Sequence, residues 1–211
     1  MVGLIFVALV FLAFGEADVR RNGAQGAADA AALAAAKDSR SLLESDLRSH
    51  ITDPAYFQSV FDARFPGPAG NACGKASEFA ALNKAADVRC RSLSDGRWGY
   101  EVSLKSAEGM SVNIVPGTAG KHATAVAVAV VEPRCTFTPE PGSDPTPDPD
   151  PTSGEDATPD PDATPDGDSD EDSKAIGRVR CDGGRDWAVV PENLTQMPDV
   201  ADLFSVHLAE D

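Results

Sequence analysis

Four cysteines, Cys73, Cys90, Cys135 and Cys181, are the residues whose type and spacing most restrict the chemistry of this chain. None belongs to a C-x-x-C pair, and the three histidines (His50, His122, His207) are scattered. A zinc site normally draws its ligands from close sequence pairs, so no metal is expected. An even cysteine number behind an apolar N-terminus reads instead as two disulfides formed in an oxidising compartment. Counting alone leaves three connectivities open.

Other chemistry is looked for and not found. A phosphate loop needs Gly, four residues, then Gly-Lys-Ser/Thr. Around Gly74-Lys75 the outer positions are Ala69 and Ala76, and both fail. There is no G-x-S-x-G elbow for a hydrolase, and no Cys/His pair reads as nucleophile and base. Asp166, Asp168, Asp170 and Asp172 resemble the start of a calcium loop, but position six is Glu171 and position twelve is Gly177, where Gly and Glu are needed. Asn193-Leu194-Thr195 is a glycosylation sequon. No enzyme activity and no cofactor are expected.

The elements that position these residues follow from periodicity. Residues 1–14 carry no charge. At about 1.5 Å per residue they span about 21 Å, short of the roughly 30 Å of a bilayer core. A basic n-region and an A-x-A-like cleavage site, which a signal peptide needs, are missing. The reading is a transmembrane anchor that is N-terminally incomplete, with a secretory leader as the second reading. Arg20 and Arg21 after the apolar run would put that side in the cytoplasm. The cysteines argue for the outside and are given precedence.

Residues 16–52 read as a continuing helix, proline-free and rich in alanine, the best helix former. Gly23, Ala27, Ala30, Ala31 and Ala34 fall on one face. Small faces let helices approach closely, so this is the expected helix-packing face, flanked by a polar stripe of Asn22, Gln25 and Asp29, and its partner is left open between another copy, another helix and the chain's own head. Leu at Ala27 or Ala31 is then expected to disturb helix association and leave the outer domain folded. Leu43, Leu47 and Ile51 continue as an apolar stripe.

Asp53-Pro54 marks a second helix, with Asp as N-cap and Pro in the first turn; its Phe57, Val60 and Phe61 are candidate core. A third helix is expected over residues 75–86 with Phe79 and Leu82 inward. From Arg97 the period becomes two, giving strands over 97–105, 110–115 and 121–132. In the last of these, valines face one way and Ala123, Ala125, Ala127 and Ala129 the other, a face that a helix can approach. Strands over 176–181 and 187–190, a turn at Asp182-Gly183-Gly184, then a short helix and a last strand end the chain.

The net charge of −16 argues against nucleic acid as partner. Residues 139–173 hold 13 acidic side chains and no Lys or Arg, leaving about −3 for the rest. Nine of the 16 prolines lie there, and TPD[PG]D recurs at Thr146, Thr158 and Thr164. Such a segment cannot bury a core and reads as a disordered, extended insert. Cys135 and Cys181 flank it, and Cys73 and Cys90 bracket the third helix. Cys73–Cys90 and Cys135–Cys181 are therefore the expected bridges. In the chain-entropy model they are worth about 3 and about 4 kcal/mol.

The run RNGAQGAADAAALAAAKD at residues 21–38, directly after an apolar segment, resembles the N-terminal signature of TadE/TadG-like proteins of the Flp/Tad pilus system, actinobacterial type. ACGKASEFAALN, VPGTAGKHATAVAVAVVEPRC and the ending LFSVHL are similar to later parts of those proteins. The resemblance implies a single-pass protein of the cell membrane with an extracytoplasmic C-terminal domain. Its partners would be the membrane and proteins of pilus or secretion machinery, possibly including itself. Its function would be structural, in assembly. The alternative is an exported cell-envelope binding or adhesion module with an acidic spacer. The prepilin-type segment and the early Glu of the apolar helix are not matched, since Glu16 lies after the apolar run.

The expected fold is α+β: a transmembrane anchor (1–15), an Ala-rich packing helix (16–52), an α+β head (53–138), the insert (139–173), and C-terminal strands completing the head (174–211).

Overall fold

A computed structural model describes residues 2–62, 65–110, 120–141, 175–193 and 197–209. A single helix, α1 (Val2–Ser49), runs for 48 residues, about 72 Å at 1.5 Å per residue. It carries no proline to break its hydrogen-bond ladder. A corner follows. His50 stacks on Tyr56 with ring centroids 4.1 Å apart, and the Tyr56 hydroxyl donates to Asp46 Oδ2. Asp53 then caps α2 (Pro54–Val60), its carboxylate accepting from the Tyr56 N–H at 3.0 Å, as the Asp-Pro pair predicts. Phe57, Val60 and Phe61 are buried, as expected.

Helix α3 (Ala72–Leu82) begins and ends earlier than the sequence predicts, and it turns a different face inward. Ala72, Ala76 and Ala80 are buried, whereas Phe79 is 39% and Leu82 72% exposed. The expectation of an inward Phe79 and Leu82 is corrected by the partner's shape: α3 lies along the alanine stripe of α1, and two helices this close admit only small side chains. The helix stops at Asn83. Lys84 takes positive φ (55°) and turns the chain straight into a strand that periodicity does not reveal, β1 (Ala85–Ser92), in which Asp87, also at positive φ (51°), marks a shift of register against β2 between Ala86 and Arg89.

The head contains two antiparallel sheets. The first has the order β1–β2–β3–β7, with β2 Gly99–Ser106, β3 Thr124–Pro133 and β7 Phe204–Leu208. The second has the order β4–β5–β6, with β4 Cys135–Pro139, β5 Gly177–Cys181 and β6 Asp186–Val189. A one-turn helix, α4 (Val200–Leu203), capped by Asp199, feeds β7.

Helices α1 and α3 pack on one face of the first sheet, α1 over β2 and β3 and α3 over β1. The register explains the fit. Tyr100, Val102 and Leu104 of β2 stand opposite Ala129, Ala127 and Ala125 of β3. Large side chains on one strand sit beside bare alanines on the next, which leaves a trough that α1 fills. The second sheet joins the core where Phe137 meets Phe57 at 5.5 Å between centroids. Phe61, Phe204, Trp98 and Phe65 continue the aromatic contacts at 5.3–5.6 Å.

Both expected disulfides are present, Cys73–Cys90 and Cys135–Cys181. The first ties α3 to β1. The second joins residues directly opposed across β4 and β5, so it clamps the strand ends far from the insert. The expected strand over 110–115 lies, beyond Met110, outside the described residues. So do the insert from residue 142 to 174, with its repeats and calcium-like run, and most of the sequon.

Candidate functional site

The residues that carry the expected packing face lie on the middle of α1. The structure divides them. Ala31 is fully buried, and Ala27 and Ala34 are buried. Ala30 is half-buried and Gly23 exposed. The buried stripe runs Ala24, Ala28, Ala32, Ala35, Ser39, Leu43 and Leu47, mostly four apart, and it faces the chain's own head. The alanine face therefore does not lie free for a second helix. The expectation that Leu at Ala27 or Ala31 would spare the outer domain is corrected accordingly: both side chains are part of that domain's core.

Two polar contacts lock this seating. Ser39 is the one buried polar side chain among the described residues, and its Oγ accepts from Trp98 Nε1 at 2.9 Å and from the Tyr100 hydroxyl at 3.1 Å. A buried indole N–H without a partner would cost about 1–3 kcal/mol, so this serine fixes how α1 sits on β2. Gln25 acts on β3. Its amide donates to the Val126 carbonyl at 3.2 Å and to Asp29 Oδ1 at 2.8 Å. The Val128 carbonyl, on the same side of β3, is taken by the Ala209 N–H at 2.9 Å. Val126 lies beyond the β7 pairing, which spans Ala129 to Pro133 of β3. Gln25 thus supplies the donor that the short β7 cannot. Arg40 donates to the Phe204 carbonyl at 3.0 Å and holds the α4–β7 junction to α1.

Gln25 belongs to the polar stripe read from sequence, but Ser39 is not part of any predicted set. A signal exists: Ser39 continues the spacing of Ala28, Ala32 and Ala35 into Leu43 and Leu47, a serine within an otherwise apolar stripe.

The small residues that are not fully covered open two grooves. One, of about 760 Å³, lies at the neck between Val19, Gly23 and Ala27 of α1 and the Asn83–Ala85 turn. The other, of about 470 Å³, lies between Ala30, Leu33 and Ala34 of α1 and Phe79 of α3. Between α1 and the base of the β2–β3 loop, Arg20 donates to Glu108 Oε2 at 3.3 Å. This pair is exposed and contributes little to stability.

Toward its N-terminus α1 leaves the head. Leu4 and Phe11 are 77% and 74% exposed, and Ile5, Val7 and Val19 are exposed as well. Among the described residues, no helix is long and apolar enough to cross a membrane, and no group of three or more His, Cys, Asp or Glu side chains is placed to hold a metal. One titration is strongly shifted. Burial, and then the hydrogen bond to Asp46 and its charge, push the Tyr56 phenol well above its ordinary value.

The architecture is that of an α+β protein whose long N-terminal helix is laid into an antiparallel head and continues past it. Residues 1–38, the projecting end and most of the alanine run, match the Flp pilus-assembly TadE/G-like (Tad) family model. No curated protein and no solved structure matches the chain.

Proposed function

We propose that this chain is a membrane-anchored, structural component of Flp/Tad pilus or secretion-apparatus assembly, with its head outside the cytoplasm. The observation that carries the reading is one helix with two environments. Its inner half is buried in the head, and its outer end bears exposed Leu4, Ile5, Val7 and Phe11 inside the segment that matches the pilus-assembly family. Large apolar side chains exposed along several turns are costly in water, about 1.5–3 kcal/mol each if fully hydrated, and lipid or a partner helix relieves that cost. Two disulfides in the head suit an oxidising, extracytoplasmic location.

The head serves as a support rather than a catalyst: it holds α1 at a fixed angle to the sheet through Ser39, Gln25 and Arg40. Protein partners of the machinery, or a second copy, meet the surface that this leaves outward, where Leu33, Phe79 and Leu82 are accessible. A photo-crosslinker at Leu33 or Phe79 in cells should capture a subunit of the pilus or secretion apparatus. No such adduct from either position would overturn the assembly role. The second reading, an envelope-binding module, draws on the 13 acidic residues of 139–173. Deleting them with unchanged location and lost surface binding would favour it.

A further inference from the structure

We infer that the neck of the molecule carries a surface for anionic phospholipid headgroups, formed by Arg21, Lys84, Lys121 and His122. The inference rests on the anchor reading above. Three chain segments supply these side chains to two grooves at the neck: α1, the turn after α3, and the lead into β3. Arg21, Lys121 and His122 line a groove of about 690 Å³ that also includes Phe11. Lys84 lines the 760 Å³ groove on the other side of the Arg20–Glu108 contact, next to Val19. Each groove therefore combines a basic rim with an exposed apolar side chain of α1, as a lipid would require.

Their charge runs against the whole chain, which is −16. Arg21, Lys84 and Lys121 form no ion pair among the described residues. The acidic groups that line these grooves are Asp18 and Glu108, and Glu108 is engaged by Arg20. Asp87 nearby is taken by Lys105 at 2.9 Å. The backbone fixes the positions. The Met110 N–H donates to the Lys121 carbonyl at 3.0 Å and the Gly120 N–H to the Met110 carbonyl at 3.1 Å, which closes the loop base. His122 Nδ1 donates to the Ser106 carbonyl at 2.7 Å. Arg21 lies seven residues, about 10 Å, beyond Phe14, the last residue of the uncharged run. A long basic side chain at that depth reaches the headgroup layer. Attraction of such residues to anionic leaflets is of a size that changes occupancy about fivefold per side chain.

The test uses the full chain reconstituted into vesicles of equal phosphatidylglycerol and phosphatidylcholine with matched acyl chains. Flotation first reports anchoring. Re-extraction in mild detergent and mass analysis of the retained lipid then report headgroup choice. The expected result is retained phosphatidylglycerol in excess over phosphatidylcholine, with the excess reduced about 25-fold in Arg21→Gln/Lys121→Gln and reduced for the wild type by high salt. Both side chains are exposed, and an unchanged melting temperature confirms that the variant folds. A chain that floats but retains both lipids equally, or whose preference survives the double substitution, overturns this inference and leaves the anchor standing. A chain that does not float overturns both.

Discussion

Replacing Ser39 by alanine removes a single oxygen, and the structure sets what that costs. Ser39 Oγ is the acceptor for Trp98 Nε1 at 2.9 Å and the Tyr100 hydroxyl at 3.1 Å. Both donors are buried, Trp98 the more deeply. The loss is counted on the indole N–H, the more deeply buried of the two donors. An orphaned buried donor costs about 1–3 kcal/mol. Alanine recovers about 0.5 kcal/mol through its better helix propensity. The net expectation is a loss of about 1.5 kcal/mol.

With a urea m-value of about 2 kcal/mol/M, the unfolding midpoint should fall by about 0.75 M while m stays unchanged. The assay is urea unfolding of the full chain in mild nonionic detergent with disulfides intact, followed by tryptophan fluorescence. Trp98→Phe supplies the control, because it removes the donor. In that background Ser39→Ala should cost about 1 kcal/mol less than in the wild type. A midpoint shift under about 0.25 M, or equal costs in both backgrounds, would refute the argument that this contact seats α1 on the sheet.

Three more predictions follow from the same geometry. Ala31→Leu should lower the stability of the head by about 1–3 kcal/mol, since a fully buried alanine between helix and sheet has no room for three more carbons; unchanged thermal unfolding of the purified protein would contradict this. Replacing Cys135 and Cys181 together by alanine should cost about 4 kcal/mol, more than the loss of Cys73–Cys90, because it frees a 46-residue separation against one of 17; calorimetry of the two double variants gives the order. Tyr56, whose folded pKa is raised, should add stability that is complete below the ordinary tyrosine value near 10 and is lost as pH climbs above it toward the folded value. Tyr56→Phe should flatten that alkaline decline, read as unfolding midpoints between about pH 9 and 11.

Much of the architecture is legible in the residues, and the misses have a common cause. The length of α1, the Asp53-Pro54 start, the alternating β3 and both disulfide pairings follow from propensity, capping and loop logic. The Ala123–Ala129 face even announces that a helix lies on it. What periodicity could not supply is which partner covers a small-residue face. The alanines of α1 fit a helix of another chain or the chain's own head equally well, and only the assembled head shows that they are covered by α3 and by the trough of Val102, Leu104 and Ala127. The same ambiguity inverted α3: Phe79 and Leu82 are the apolar residues that a moment would turn inward, yet the neighbouring alanine stripe accepts only Ala72, Ala76 and Ala80. Strand β1 was hidden because Lys84, not a glycine, adopts the positive φ of the turn, and Asp87 interrupts the alternation with a shift of register inside the strand. Ser39 was hidden because a lone serine in an apolar stripe carries meaning only once Trp98 is seen against it.

In the function proposed above, α1 has two halves, one held by the head and one that would anchor it. The most direct measurement compares the full chain with a version lacking residues 1–15, both expressed in cells and washed with alkaline carbonate. The full chain should remain with the membrane pellet. The shortened chain should be released with its disulfides intact and its head melting at the same temperature, since the buried stripe begins at Ala24. A shortened chain that stays in the pellet, or a full chain that washes off, would contradict the central claim.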